Sequence, residues 1–209
     1  MSSEIDEARE TLAFMRSLAD GPEQPNRAMG QAFFAAGIVY GFQGLCQWGL
    51  AAGFLSLSDT AYLIFVVACS AVYMAILGAI IWKNRKKQTR TAVGRAYEAA
   101  FQGAGIANLC MVLVFTAASI RLDNAGIWYF YAPMIYAMQG AAWYLAFRMR
   151  KRGWLGLVSL GWFVGSVALG MTAHSATYVL VIALSLILLL GGPGWVMMRL
   201  ADARSEQAG

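Results

Sequence analysis

Long apolar runs separated by short polar stretches fill the chain from about residue 27 onward. Each run has about 20 residues or more, the length that an α-helix needs to cross roughly 30 Å of hydrocarbon. Six runs predict six transmembrane helices, at residues 30–54, 59–83, 94–119, 125–149, 153–173 and 177–201. The pattern therefore predicts an all-α integral membrane protein.

The connections on one side of the predicted bundle are very short, near residues 55–58, 120–124 and 174–176. Consecutive helices are therefore expected to form three tight antiparallel hairpins, at about 30–83, 94–149 and 153–201. Connections this short leave no room for an outer domain that could capture a large ligand.

The first helices of the hairpins resemble one another in sequence. The stretch RAMGQAFFAAGI at 27–38 aligns with RAYEAAFQGAGI at 95–106 at an offset of 68, with seven of twelve residues identical. A weaker third copy, KRGWLGLVSLGW, starts at 151. The similarity predicts a parallel repeat of three hairpins around an axis along the membrane normal, a feature found in transporters and also in proteins that transport nothing.

The N-terminal segment, residues 1–26, is predicted to lie outside the membrane. Apolar residues recur at helical spacing over 4–19, Ser3 and Asp6 are suited to cap the helix, and the polar stretch 20–26 ends it. Membrane-surface helices are usually basic, whereas this one is acidic. We therefore expect it to dock under the bundle or to bind a cytoplasmic protein, with a solvated leader helix as the alternative.

Composition and charge support this location. The chain is 59% hydrophobic and 13% charged, against about 25% charged in soluble domains. Its net charge of +5 does not indicate nucleic-acid binding, because the basic residues flank the predicted spans. All lysines and arginines except Arg121 fall on one side, so the positive-inside rule places both termini, including the tail at 202–209, in the cytoplasm. We expect a multi-pass protein of a bacterial inner membrane, with membrane lipids around it.

Glycines four residues apart mark two predicted spans. Gly37 and Gly41 form one GxxxG pattern, and Gly161 and Gly165 form another. Such pairs let helix backbones approach closely in a bilayer, where association depends on close packing and hydrogen bonds. Packing within the chain is the first interpretation and a homo-oligomer is the second.

Four amides in predicted spans are candidates for a polar cluster near the membrane midplane: Gln43, Gln47, Asn108 and Gln139. An unpaired amide in hydrocarbon costs several kcal/mol, so each needs a partner. Hydrogen bonds that join helices are one interpretation. A polar pocket or narrow path for a small neutral or zwitterionic solute is the other.

Two further positions are candidate functional residues. Glu98 is the only acid within a predicted span and could couple transport to protons, although Arg95, about one turn away, can pair with it. Pro193, in GGPGW at 191–195, interrupts the last span near its predicted cytoplasmic end, where we expect a structural kink.

Metal and catalytic motifs are absent from the sequence. The three cysteines form no CxxC pair, and the single histidine, His174, cannot build a metal site by itself. No HExxH, P-loop or nucleophile–base pattern is present. We therefore expect no enzymatic activity, no metal and no cofactor.

Two classes of function remain. The first is a non-enzymatic membrane scaffold or sensor whose helix at 4–19 binds a cytoplasmic partner. The alternative is a small channel or transporter that uses the polar midplane residues. The first is slightly favoured, because no charged or metal-binding group lies at the predicted midplane to couple transport.

Overall fold

The computed structural model describes residues 27–85 and 92–207, and 90% of the described residues are helical with no β-strand among them. Within these ranges the side chains of 92–98, 204, 205 and 207 are not described. The predicted N-terminal helix at 4–19 lies outside the described residues. The all-helical fold class is confirmed for the part of the chain that is described.

The helices follow the predicted runs closely. In chain order they are α1 (Arg27–Ala51), α2 (Asp59–Asn84), α3 (Ala92–Arg121), a 3-10 helix (Ala125–Phe130), α4 (Tyr131–Arg150), α5 (Gly153–Met171), α6 (Ala176–Leu186), a π turn (Ile187–Gly191) and α7 (Gly192–Gln207). The last three segments are continuous and form one long final helix. This helix reaches Gln207, into the segment predicted as a tail.

Four helices in the described residues are long and apolar enough to cross a membrane. They cover Asp59–Asn84, Ala99–Arg121, Gly153–Met171 and Ala176–Ala203. The other two predicted spans correspond to α1, which is rich in glycine and contains three glutamines, and to α4, which ends in arginines. The structure thus supports a membrane protein, while the six-span arrangement stays a prediction.

Side-chain and backbone caps explain where several helices begin and end. The hydroxyl of Ser58 accepts from the Ala61 N–H at 3.3 Å, and Ser175 accepts from Tyr178 at the start of α6. Both are N-cap residues that satisfy a donor which the helix itself cannot. Lys151 adopts a left-handed conformation with φ 49° and ends α4.

The helices pack side by side in an order that differs from their order in the chain. The most extensive contact is between α1 and the final helix, along which α1 packs over its whole length, and the next is between α4 and α5. The final helix also contacts α5, while α2 packs mainly on α1 and α3 mainly on α4. α1, α4, α5 and the final helix therefore form the centre, and α2 and α3 lie at the periphery.

The core consists of aromatic and aliphatic side chains of the central helices. Trp143, Trp162, Leu155 and Leu169 are essentially inaccessible. The rings of Phe33, Phe101 and Trp143 meet with centroids 5.2 to 5.4 Å apart, which joins α1, α3 and α4. By contrast, α2 has no buried residue. Its exposed surface is apolar, as expected of a helix surrounded by lipid.

Candidate functional site

The glycines of α1 lie against the final helix. A Cβ at Gly37 would overlap the backbone N of Gly191 and lie 2.5 Å from its Cα, and one at Gly41 would overlap the side chain of Ile187. At Gly44 it would lie 2.9 Å from the Cβ of Ala183. α1 and the final helix are therefore in backbone contact, a geometry that only glycine permits.

The glycines of α5 also lie against other helices of the same chain. A Cβ at Gly161 would lie 2.6 Å from Leu189 Cδ2, and one at Gly165 would lie 3.0 Å from the ring of Tyr136. Each of the four predicted packing glycines thus lies against another helix of the same chain. This geometry favours the first interpretation of the two GxxxG patterns.

Pro193 does not break the final helix but widens it. Proline offers no N–H and its ring collides with the carbonyl four residues before it. The preceding turn becomes a π turn in which the Gly192 N–H donates to the Ile187 carbonyl. This turn lies at the middle of the candidate span Ala176–Ala203. The close contact of Gly37 with Gly191 occurs there, so the widened turn and the glycine contact coincide.

Two of the candidate amides join the helices of a hairpin. The amide Nε2 of Gln47 donates to the Tyr62 hydroxyl at 3.0 Å, which connects α1 and α2. The Tyr131 hydroxyl donates to Asn108 Oδ1 at 2.6 Å, which connects α3 and α4. The two amides bond within separate hairpins, and no hydrogen bond joins any two of the four candidate amides in the described residues.

The other two amides have an unpaired oxygen. The Oε1 atoms of Gln43 and Gln139 are buried without a hydrogen-bond partner. Gln139 is one helical turn from Trp143 on α4, and the indole Nε1 of Trp143 is also buried and unpaired. The Gln139 acceptor and the Trp143 donor are thus neighbours on α4 but form no hydrogen bond with each other.

Tyr136 and Ser185 form a polar contact that the sequence did not predict. The Tyr136 hydroxyl lies 2.8 Å from Ser185 Oγ and 3.3 Å from the Ile182 carbonyl. Its ring meets that of Trp162 edge-on, at a centroid distance of 4.7 Å. Serine and tyrosine are common in apolar helices, so only the packing of α4 against α6 identifies this pair.

The predicted coupling acid lies near the start of α3. Glu98 belongs to α3, but its side chain is outside the described residues. His174 is exposed and adopts φ 66°, and its ring contacts the tilted ring of Tyr129 at a centroid distance of 4.1 Å. Among the described residues, no group of three histidine, cysteine or acidic side chains could hold a metal ion.

These features define an α-helical membrane protein with closely packed helices and a few polar contacts between them. Comparison with family models, with curated proteins and with solved structures finds no match to this chain.

Proposed function

We propose that this chain is a non-enzymatic membrane scaffold or sensor whose residues 4–19 bind a cytoplasmic protein. The observation that carries the proposal is the pairing of Gln47 with Tyr62 and of Asn108 with Tyr131. These polar groups hold the helices of a hairpin together instead of lining one shared path. The bundle then serves as a membrane anchor that presents the N-terminal helix.

The distribution of basic residues supports a cytoplasmic position for that helix. Contacts such as Gly30 with Gly194 and Gly44 with Ala183 make α1 antiparallel to the final helix. The start of α1 and the end of the final helix are thus neighbours, and Arg27 Nε lies 3.2 Å from Asp202 Oδ1. We infer that this end faces the cytoplasm of a bacterial cell, with both termini on that side.

The test is affinity purification of the full-length protein from solubilised membranes, with quantitative mass spectrometry of co-purifying proteins. Leu12→Asp places a charge on the apolar stripe of the predicted helix, and Arg9→Asp is the control on another face. A specific partner should be lost with Leu12→Asp and with deletion of 1–25, and kept with Arg9→Asp. If the same proteins were recovered from the deletion variant, the N-terminal helix would have no such role.

A second function is favoured by the unpaired buried oxygens of Gln43 and Gln139. Each buried polar group without a partner costs about 1–3 kcal/mol, which a bound polar molecule would recover. The indole N–H of Trp143 adds a donor beside the Gln139 acceptor. We propose as the alternative a small channel or transporter for neutral or zwitterionic solutes.

Proteoliposome uptake of glycerol, urea and glycine tests this alternative. Gln139→Leu should lower the rate of at least one solute about tenfold, as expected for 1.4 kcal/mol. The control is Gln102→Leu, the same change at an exposed position of α3. Uptake no faster than in empty liposomes would exclude the alternative for these solutes.

A further inference from the structure

The contacts between hairpins follow a simple rule. The second helix of one hairpin packs against the first helix of the next: α4 against α5, and the final helix against α1. These are also the most extensive helix contacts in the described residues. The third pair of this kind, α2 with α3, makes no comparable contact in the described part of the chain. Of the three junctions that the predicted three-hairpin repeat implies, one is therefore open in the described residues.

The two helices of the open junction have large exposed apolar surfaces. α2 has no buried residue, and Phe115 is the only buried residue among the described side chains of α3. Side chains such as Ile64 and Leu113 are each 64% exposed. These surfaces are available to lipid or to another apolar helix.

The first two copies of the predicted internal repeat place the same glycine on α1 and on α3. In the aligned segments, Gly37 of α1 corresponds to Gly105 of α3, at the offset of 68. Gly37 is buried in backbone contact with the final helix, whereas a Cβ at Gly105 would meet nothing within 4 Å. The same glycine is thus retained in both copies, but only one of them has a helix packed against it.

The position of Gly105 agrees with a missing α2 neighbour. Gly105 lies one turn from Phe101, whose ring contacts Phe33 of α1, so it is near the side of α3 that meets α1. In the same chain α2 packs on α1, with Tyr73 against Tyr40 at a centroid distance of 5.1 Å. α2 therefore adjoins α1 without covering Gly105.

We propose that a second copy of this chain completes the open junction, with α2 of each copy packed against α3 of the other. A two-fold axis along the membrane normal makes the two contacts identical and closes the assembly as a dimer. The new pairs are antiparallel, as at the two junctions within the chain. Gly105 lets the backbones approach closely, which is what drives helix association in lipid. This dimer goes beyond the proposed function and does not depend on a partner of residues 4–19.

The first test is the mass of the full-length protein, measured by native mass spectrometry in detergent. Gly105→Leu fills the space that the partner helix would use. Gly170→Leu is the matched control, because Gly170 also has nothing within 4 Å and lies on α5. Wild type and Gly170→Leu should be dimers, whereas Gly105→Leu should raise the dissociation constant at least tenfold, which is about 1.4 kcal/mol. A monomeric wild type would show that lipid covers the surface and would overturn the proposal, as would a dimer unaffected by Gly105→Leu.

A disulfide test leaves the packing surface nearly intact and covers the case in which Gly105→Leu fails to fold. Two differently tagged copies without native cysteines are co-expressed, one with Gly105→Cys and the other with Met74→Cys on the exposed surface of α2. Met74 follows Tyr73, whose ring contacts Tyr40 of α1. Tyr40 lies about one turn from Gly37, the residue aligned with Gly105, so Met74 and Gly105 are expected at a similar depth in the membrane. Oxidation should link these copies and should not link Gly105→Cys to Val164→Cys, which lies at an exposed position of α5. No link, or equal linking of both pairs, would contradict the interface.

Discussion

Replacing Gly37 by alanine tests the closest contact between helix backbones in the described part of the chain. In an isolated helix this change is favourable by about 0.8–1.0 kcal/mol, because alanine has the higher helix propensity. Here the new Cβ would overlap the backbone N of Gly191 and lie 2.5 Å from its Cα, against 3.4 Å or more in ordinary contact. Backbone atoms cannot rotate away as a side chain can, so α1 must separate from the final helix.

The magnitude follows from these two opposing effects. Inserting a methyl group into a closely packed interior typically costs about 1–3 kcal/mol, and a contact between two backbones belongs at the upper end. After subtraction of the propensity gain, we expect a net loss of about 2 kcal/mol in the free energy of unfolding. At about 2–4 °C per kcal/mol for a chain of this size, the melting temperature should fall by roughly 4–8 °C.

The assay is thermal unfolding in detergent, followed by circular dichroism, with Gly170→Ala as the control. Gly170 lies in a helix and has open space around it, so its alanine variant should be as stable as wild type or up to about 1 kcal/mol more stable. An equal or higher melting temperature for Gly37→Ala than for Gly170→Ala would refute the backbone contact.

Three further predictions concern single contacts, each measured by the same unfolding assay. A double-mutant cycle of Asn108→Leu and Tyr131→Phe should give a coupling of about 0.6–1.7 kcal/mol for their 2.6 Å hydrogen bond, and zero coupling would show that the bond does not form. Ser159→Ala should cost about 1 kcal/mol, because its buried hydroxyl donates to the Gly140 carbonyl at 2.8 Å. Trp143→Ala should cost about 3–5 kcal/mol, because the side chain is fully buried, and a loss below 1 kcal/mol would contradict its place in the core.

The candidate site was less predictable from the sequence than the helices. The depth of each amide along its helix could be estimated by counting residues, so Gln43 and Asn108 were expected at a similar height. Which neighbour each one faces depends on how the helices are rotated and arranged, and this is not encoded in the spacing. The structure places Gln47 against Tyr62 and Asn108 against Tyr131, in two separate hairpins.

The sequence by itself determined where the helices lie, because the run of apolar residues needed to cross a bilayer is a local property. It also determined which positions, such as Gly37 and Gly41, permit close packing of helices. Only the tertiary structure decided that these glycines meet the final helix, that Pro193 widens a turn at mid-height, and that Gly105 is left open. Helix neighbours are chosen by the fit of whole surfaces from distant parts of the chain, and such a fit has no local signature.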